Sequence, residues 1–155
     1  MEDSRPILVI EDDSDAVDLL KLAFEKARLR RPLRALPNGE AAIAYLSGAA
    51  PFENREENPR PCLLLLDVKL PGKSGIEVLS WLKSQVQLRS LPVIMMTASA
   101  ASGDIDEALR LGIRSYCVKP QAFDDLVKLA HAIRRRVEGT AVESEDTLHE
   151  AGSER

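Results

Sequence analysis

Four consecutive leucines, Leu63-Leu64-Leu65-Leu66, run straight into Asp67 and then into Val68-Lys69-Leu70-Pro71-Gly72-Lys73-Ser74-Gly75. A short apolar run of this kind reads as a strand buried on both faces, as in a parallel sheet covered by helices. The run ends on a carboxylate and breaks at Pro71 and Gly72. That delivers the carboxylate to the carboxyl edge of the sheet, where open α/β sheets do their chemistry. Taken alone, Asp67 reads equally well as a helix cap or a turn residue. The other strand ends decide between these readings.

The first strand, Ile7-Leu8-Val9-Ile10, ends in Glu11-Asp12-Asp13. Three adjacent acids repel one another unless a cation or a helix N-terminus compensates them. Capping the next helix, which opens near Ser14, accounts for Asp13 or Ser14 but not for Glu11 and Asp12 as well. A hard divalent cation does, because Mg²⁺ takes a few carboxylate oxygens and keeps several waters. The fourth strand, Pro92-Val93-Ile94-Met95-Met96, ends in Thr97-Ala98-Ser99, and the fifth, Ser115-Tyr116-Cys117-Val118, ends in Lys119-Pro120. A lone Thr or Lys would be an ordinary surface residue. Together these strand ends supply acids, a hydroxyl and an ammonium, a set suited to metal-assisted handling of an anion at a carboxylate.

Strands alternate with helical patterns, which predicts a parallel sheet wrapped by helices. Helix 1 follows Ser14 and turns Val17, Leu20, Phe24 and Ala27 inward. Strand 2 is short, near Leu33 to Leu36, and Asn38-Gly39 opens helix 2, which buries Ala42, Ile43 and Leu46. Residues 48–61 make a long polar loop, a length that in compact domains marks a functional or mobile segment. Helix 3 runs from about Gly75 to Val86 with Ile76, Leu79 and Leu82 inward. Helix 4 runs from about Ser102 to Leu111 and stops at Gly112. Helix 5 begins near Phe123 with Leu126, Ala130, Ile133 and Val137 inward. Five such units favour the flavodoxin-like strand order 2-1-3-4-5, which makes strands 1 and 3 neighbours and brings Glu11, Asp12 and Asp67 together. Residues 5–138 form the expected domain. From Gly139 the chain is rich in Glu, Ser and Thr, so 139–155 is expected to be a disordered polar tail.

The 155 residues suit one domain, and a net charge of −4 lacks the basic face of a nucleic-acid module. Arg134-Arg135-Arg136 is read as complementing a helix C-terminus. No apolar run reaches the ~20 residues of a membrane span, and no signal peptide is expected ahead of strand 1. Cys62 and Cys117 fall at or in buried strands and match no zinc spacing. These features predict a reduced, cytoplasmic protein.

On the acids after strand 1, Asp67, Thr97 and Lys119, in order at the correct strand ends, the chain resembles the receiver domain of two-component response regulators over roughly residues 5–138. Chemotaxis receivers are an established example of the strand order above. The resemblance implies that Asp67 accepts the phosphoryl group. It makes Glu11 and Asp12 the acidic pair that binds Mg²⁺ with Asp67, and Lys69 the residue whose backbone carbonyl completes the metal site. Thr97 matches the switch hydroxyl, Lys119 the phosphate-facing lysine, and Tyr116 the switch aromatic. Glu11 stands where Asp is commoner, and a lysine at position 69 is unusual, which bears on the rate of phosphate loss. The donor implied is a phosphohistidine on a histidine kinase or phosphotransfer partner. The chain would then catalyse only its own phosphorylation and dephosphorylation. No output domain is expected after helix 5, and that expectation, with the long loop, resembles regulators paired with phytochrome-type kinases.

Other readings are open to the same residues. A phosphohydrolase of the haloacid dehalogenase type would need a second Asp where Lys69 stands. A pseudo-receiver would not need the full residue set, and flavin binding has only fold analogy behind it. The resemblance also implies a cis Lys119–Pro120 bond. The helix 4–strand 5–helix 5 face is the expected output surface, for a homodimer or for a different protein partner. Leu111 and Val127 would form its apolar patch, with Arg110, Arg114, Lys128, Arg135, Asp106 and Glu107 supplying both signs of charge.

Overall fold

Five strand–helix units follow one another along the chain: β1 (Ile7–Ile10), α1 (Ser14–Lys26), β2 (Leu33–Leu36), α2 (Gly39–Ser47), β3 (Leu63–Asp67), α3 (Gly75–Ser84), β4 (Val93–Thr97), α4 (Gly103–Arg110), β5 (Ser115–Val118) and α5 (Phe123–Glu138). The computed structural model describes residues 4–99, 103–139 and 149–150. Strands pair in parallel in the order β2-β1-β3-β4-β5, the flavodoxin-like arrangement. All four leucines of β3 are fully buried, and each contributes about 1.5–3 kcal/mol of burial free energy.

Period-two alternation divides that burial between two layers. Leu64 and Leu66 join Leu8, Ile10 and Met95 in the layer covered by α2, α3 and α4. Leu63 and Leu65 join Val9, Ile94 and Cys117 in the layer covered by α1 and α5. Asp13, rather than Ser14, caps α1, its carboxylate accepting from the amides of Asp15 and Ala16. Ser74 and Glu77 form a capping box at α3.

The loop over 48–61 is pinned rather than loose. Arg55 donates to the carbonyls of Tyr45, Leu46 and Asn58, so one guanidinium satisfies the end of α2 and closes the loop on it. Tyr45 is fully buried beneath this loop, its hydroxyl donating to the Pro59 carbonyl at 2.8 Å. Its ring packs against Phe52 at 5.1 Å, and the Arg34 guanidinium lies 5.1 Å from its centroid. Ile43, expected inward, is half-buried, because the loop adds a cover over the Tyr45 side of α2. Arg55→Ala is expected to cost about 2–3 kcal/mol, the scale of losing charged hydrogen bonds to buried carbonyls. It should also open the loop to limited proteolysis. Urea unfolding and a trypsin time course check this, and unchanged values of both would contradict the pinning.

Three further expectations need correction. The Lys119–Pro120 bond is not cis; the cis bond among the described residues is Ala50–Pro51. The four-carbon Lys119 stem reaches the site without it. Leu111 and Val127 do not form a joint patch. They are half-buried and pack on opposite layers, Leu111 because the chain turns back to the core at Gly112 and Val127 because it faces the α1 side. The exposed apolar residues near that face are Leu109 of α4 and Val118 of β5. Arg110 and Lys128 pair within their own helices, with Glu107 and Asp125. Lastly, His149–Glu150, inside the stretch expected to be disordered, form β6, which pairs antiparallel with β5 in the register Ser115↔Glu150 and Tyr116↔His149. The exposed edge of β5 offers unpaired backbone groups, and a short extended segment satisfies them whatever its side chains. The rest of 140–155 lies outside the described residues, as do Ser102 and the expected start of helix 4.

Candidate phosphoacceptor site at the carboxyl edge of the sheet

Glu11, Asp67 and Lys119 continue the parity of Val9, Leu65 and Cys117, residues of the layer under α1 and α5. The same alternation that builds the core therefore aims all three side chains to one place. The Lys119 ammonium donates to Asp67 Oδ2 and to Glu11 Oε1, each at 2.6 Å. Both carboxylates are buried, Asp67 at 6% and Glu11 at 7% exposure. Two buried carboxylates on one ammonium leave a net negative charge, which a hard cation with oxygen ligands fits. The second Glu11 oxygen accepts from the Asp13 amide, and the second Asp67 oxygen from the Lys69 amide, both at 3.2 Å.

Asp12 stands exposed at the rim, as does the Lys69 side chain. Among the described residues no three Asp, Glu, His or Cys side chains gather around one point. The pair that meets is Glu11 and Asp67, with Lys119 between them. Burial works to lower the Lys119 pKa, but the hydrogen bonds and charges of Asp67 and Glu11 outweigh it and hold the ammonium above its usual 10.5. Its stabilising contribution is complete below pH 10.5 and is lost as pH rises through the higher folded-state value. The stability gap between wild type and Lys119→Met is therefore expected to narrow in alkaline solution. Urea midpoints measured across that range check this, and a constant gap would contradict it.

Thr97 is 2% exposed and sits one residue beyond Met96, the cross-strand neighbour of Asp67. Its hydroxyl donates to the Ser99 carbonyl at 3.1 Å and accepts from the Ser99 amide at 3.3 Å. The Lys119 amide donates to the Thr97 carbonyl at 2.7 Å, tying the ends of β4 and β5. Tyr116 pairs in register with Met95, so Thr97 and Tyr116 lie on one face of the sheet, the face of α4. Tyr116 is half-buried against that layer.

One positioning residue escaped the sequence reading. Glu40, in the first turn of α2, accepts from the Lys73 amide at 3.0 Å and lies against Gly72. It fastens the turn that follows Asp67. The available signal was an acid directly after Asn38-Gly39, which reads only as a first-turn acid favourable to the helix dipole. Beside the site, Leu19, Leu20, Pro120 and Phe123 line a small apolar cleft between α1 and α5, with Lys119 and Glu11 also on its wall.

The family model for the response regulator receiver domain matches residues 7–131. The response regulator Rcp1 of Synechocystis sp. is 33% identical over 135 residues, covering 85% of this chain and 90% of Rcp1. The phosphorylated cyanobacterial phytochrome response regulator RcpA superposes with a TM-score of 0.80 at 28% identity, over 90% of this chain and 98% of RcpA. The Mn²⁺-bound form of Rcp1 superposes with a TM-score of 0.77 at 30% identity, over 91% of this chain and 99% of that one. No helix among the described residues is long and apolar enough to cross a membrane.

Proposed function

Because the chain belongs to the response regulator receiver family, we propose that it accepts a phosphoryl group onto Asp67 from the phosphohistidine of a histidine kinase or phosphotransfer protein. The convergence of Glu11 and Asp67 on Lys119 carries this reading. Asp67 Oδ attacks phosphorus, the P–N bond to the donor imidazole breaks, and that nitrogen keeps the electron pair. A carboxylate nucleophile needs no general base. Lys119 shifts from its two carboxylate partners toward a phosphoryl oxygen, as a point charge on a flexible stem. Mg²⁺ held by Glu11, Asp12, Asp67 and the Lys69 carbonyl would neutralise the remaining equatorial charge. The Mn²⁺-bound form of the related Rcp1 supports a divalent cation in this fold.

The donor docks beside the acceptor. Leu19 is 45% exposed and lines the cleft that opens onto Lys119 and Glu11, so an apolar helix face of the donor covers it. The relatedness to Rcp1 and RcpA supports a phytochrome-type kinase as that donor. Transfer of labelled phosphoryl from a panel of autophosphorylated histidine kinases tests the function. Lack of transfer from every kinase, with the kinases active on their own partners, would sink it.

Output follows from Thr97 and Tyr116 sharing a face. When Thr97 leaves Ser99 for a phosphoryl oxygen, Tyr116 gains room to rotate inward. The change reaches the α4–β5–α5 surface, where Leu109 and Val118 are exposed. Self-association is proposed at this face after phosphorylation, once β6 leaves the edge of β5. Light scattering with and without acetyl phosphate is expected to show a larger species only in the phosphorylated wild type. Equal masses in both states would refute the dimer.

A further inference from the structure

The net charge of the chain is −4, yet four cationic side chains line one cleft of about 480 Å³ at the amino edge of the sheet, opposite Asp67. Lys83 comes from α3, Arg89 from the turn after it, Arg114 from the turn before β5, and Arg136 from α5. Among the described residues, none that lines this cleft is acidic, and no ion pair includes Lys83, Arg89 or Arg114. Burial and the nearby Arg114 charge lower the Lys83 pKa. Lys83 is half-buried and Arg89 and Arg114 are exposed beside it, and these three like charges repel one another unless an anion joins them.

Two features separate this cleft from a solvated basic surface. The arginine run at the end of α5 does not act as one unit. Arg134 serves the helix ends, pairing with Glu138 at 2.9 Å and donating to the Ala27 carbonyl at the end of α1 at 3.1 Å. Arg136 instead donates to the hydroxyl of Ser115 at 2.8 Å, and Ser115 is 1% exposed, so the guanidinium is fixed at the cleft. Lys83 is similarly held, donating to the Arg89 carbonyl at 3.1 Å. Cations arranged in advance lose little entropy on binding an anion. Guanidinium forks match phosphate oxygens in pairs.

We propose that this cleft is a second anion site, for polyphosphate chemistry, remote from the phosphoacceptor. Its size falls within the roughly 300–1,000 Å³ range of small-ligand sites. Leu91, half-buried at the cleft, adds an apolar wall against which a nucleobase can lie. The shared chemistry is a chain of phosphates, free or carried by a nucleoside.

The test uses the full chain in EDTA, so that no metal recruits phosphate to Asp67. Inorganic tripolyphosphate and ATP are titrated separately, read by calorimetry and by amide NMR. Saturable binding of either is expected, with shifts at Arg89 to Leu91 and Arg114 to Ser115. Binding should weaken about tenfold or more in Lys83→Ala/Arg114→Ala and in Arg89→Glu, from the loss of charged hydrogen bonds. Both variants should still label at Asp67, which shows that they fold. Tighter binding of ATP than of tripolyphosphate identifies the nucleoside form as the ligand; equal binding identifies the inorganic form. Absence of saturable binding by either probe, or unchanged affinity in both variants, overturns the proposal.

Discussion

Acetyl phosphate with Mg²⁺ is expected to load one phosphoryl group onto the wild-type chain and none onto Asp67→Asn. The amide is nearly isosteric with the carboxylate, so the packing of β3 should survive. The anionic nucleophile is lost, and the acyl phosphate has no oxygen to form on. Lys119 also loses one of its two partners, since Asp67 Oδ2 at 2.6 Å is half of what holds it. Intact-mass measurement reads the result directly. EDTA should suppress labelling of the wild type, because buried carboxylates at 6% and 7% exposure leave the incoming phosphoryl charge poorly compensated without a cation. Full labelling of Asp67→Asn would move the acceptor elsewhere, and full labelling in EDTA would remove the metal from the mechanism.

A single methyl group at Gly75 is expected to have the largest effect on stability. A Cβ there would sit on the carbonyl oxygen of Asp67 and 2.9 Å from Val68 Cα. Every near atom belongs to the backbone of the strand end, so no side chain can swing away. The Gly75 amide also donates to the Val68 carbonyl at 2.9 Å, which holds α3 close. Gly75→Ala must push α3 away from the end of β3, at a cost of about 3 kcal/mol or more. Because the push falls on Asp67 itself, phosphorylation by acetyl phosphate should slow by about 10- to 100-fold. Gly103→Ala is the control. Nothing lies within 4 Å of its added Cβ, and the change should stabilise α4 by about 0.5–1 kcal/mol. Urea unfolding compares the two, and equal effects would show that close approach to Asp67 is not what requires glycine at 75.

The order of elements was legible because each rests on a local signal. The leucine run before Asp67 is too short for a helix and too apolar for an edge strand, so it had to be central. Asn38 and Gly112 punctuate α2 and the end of α4 as their chemistry requires. The residues of the candidate site were legible for the same reason, since each ends an apolar run. That Glu11, Asp67 and Lys119 point to one side follows from the period of two.

Other features were hidden because they depend on what a residue meets across space. Arg55 looked like one polar residue of a long loop, and only the fold puts three carbonyls within its reach. The stripe of α2 was assigned to Ala42, Ile43 and Leu46, yet the loop that comes down over the other side buries Tyr45 and leaves Ile43 half-buried. Leu111 and Val127 fell off their helical stripes, yet the turn at Gly112 and the approach of α1 draw each to a different layer. The pairing of β6 with β5 uses backbone groups, which carry no residue code. Local propensity and alternation, written residue by residue, determined which elements form and which side chains reach the carboxyl edge. Long-range closure decided the partners, because a hydrogen bond or a salt bridge needs two groups whose separation along the chain says nothing about their distance apart.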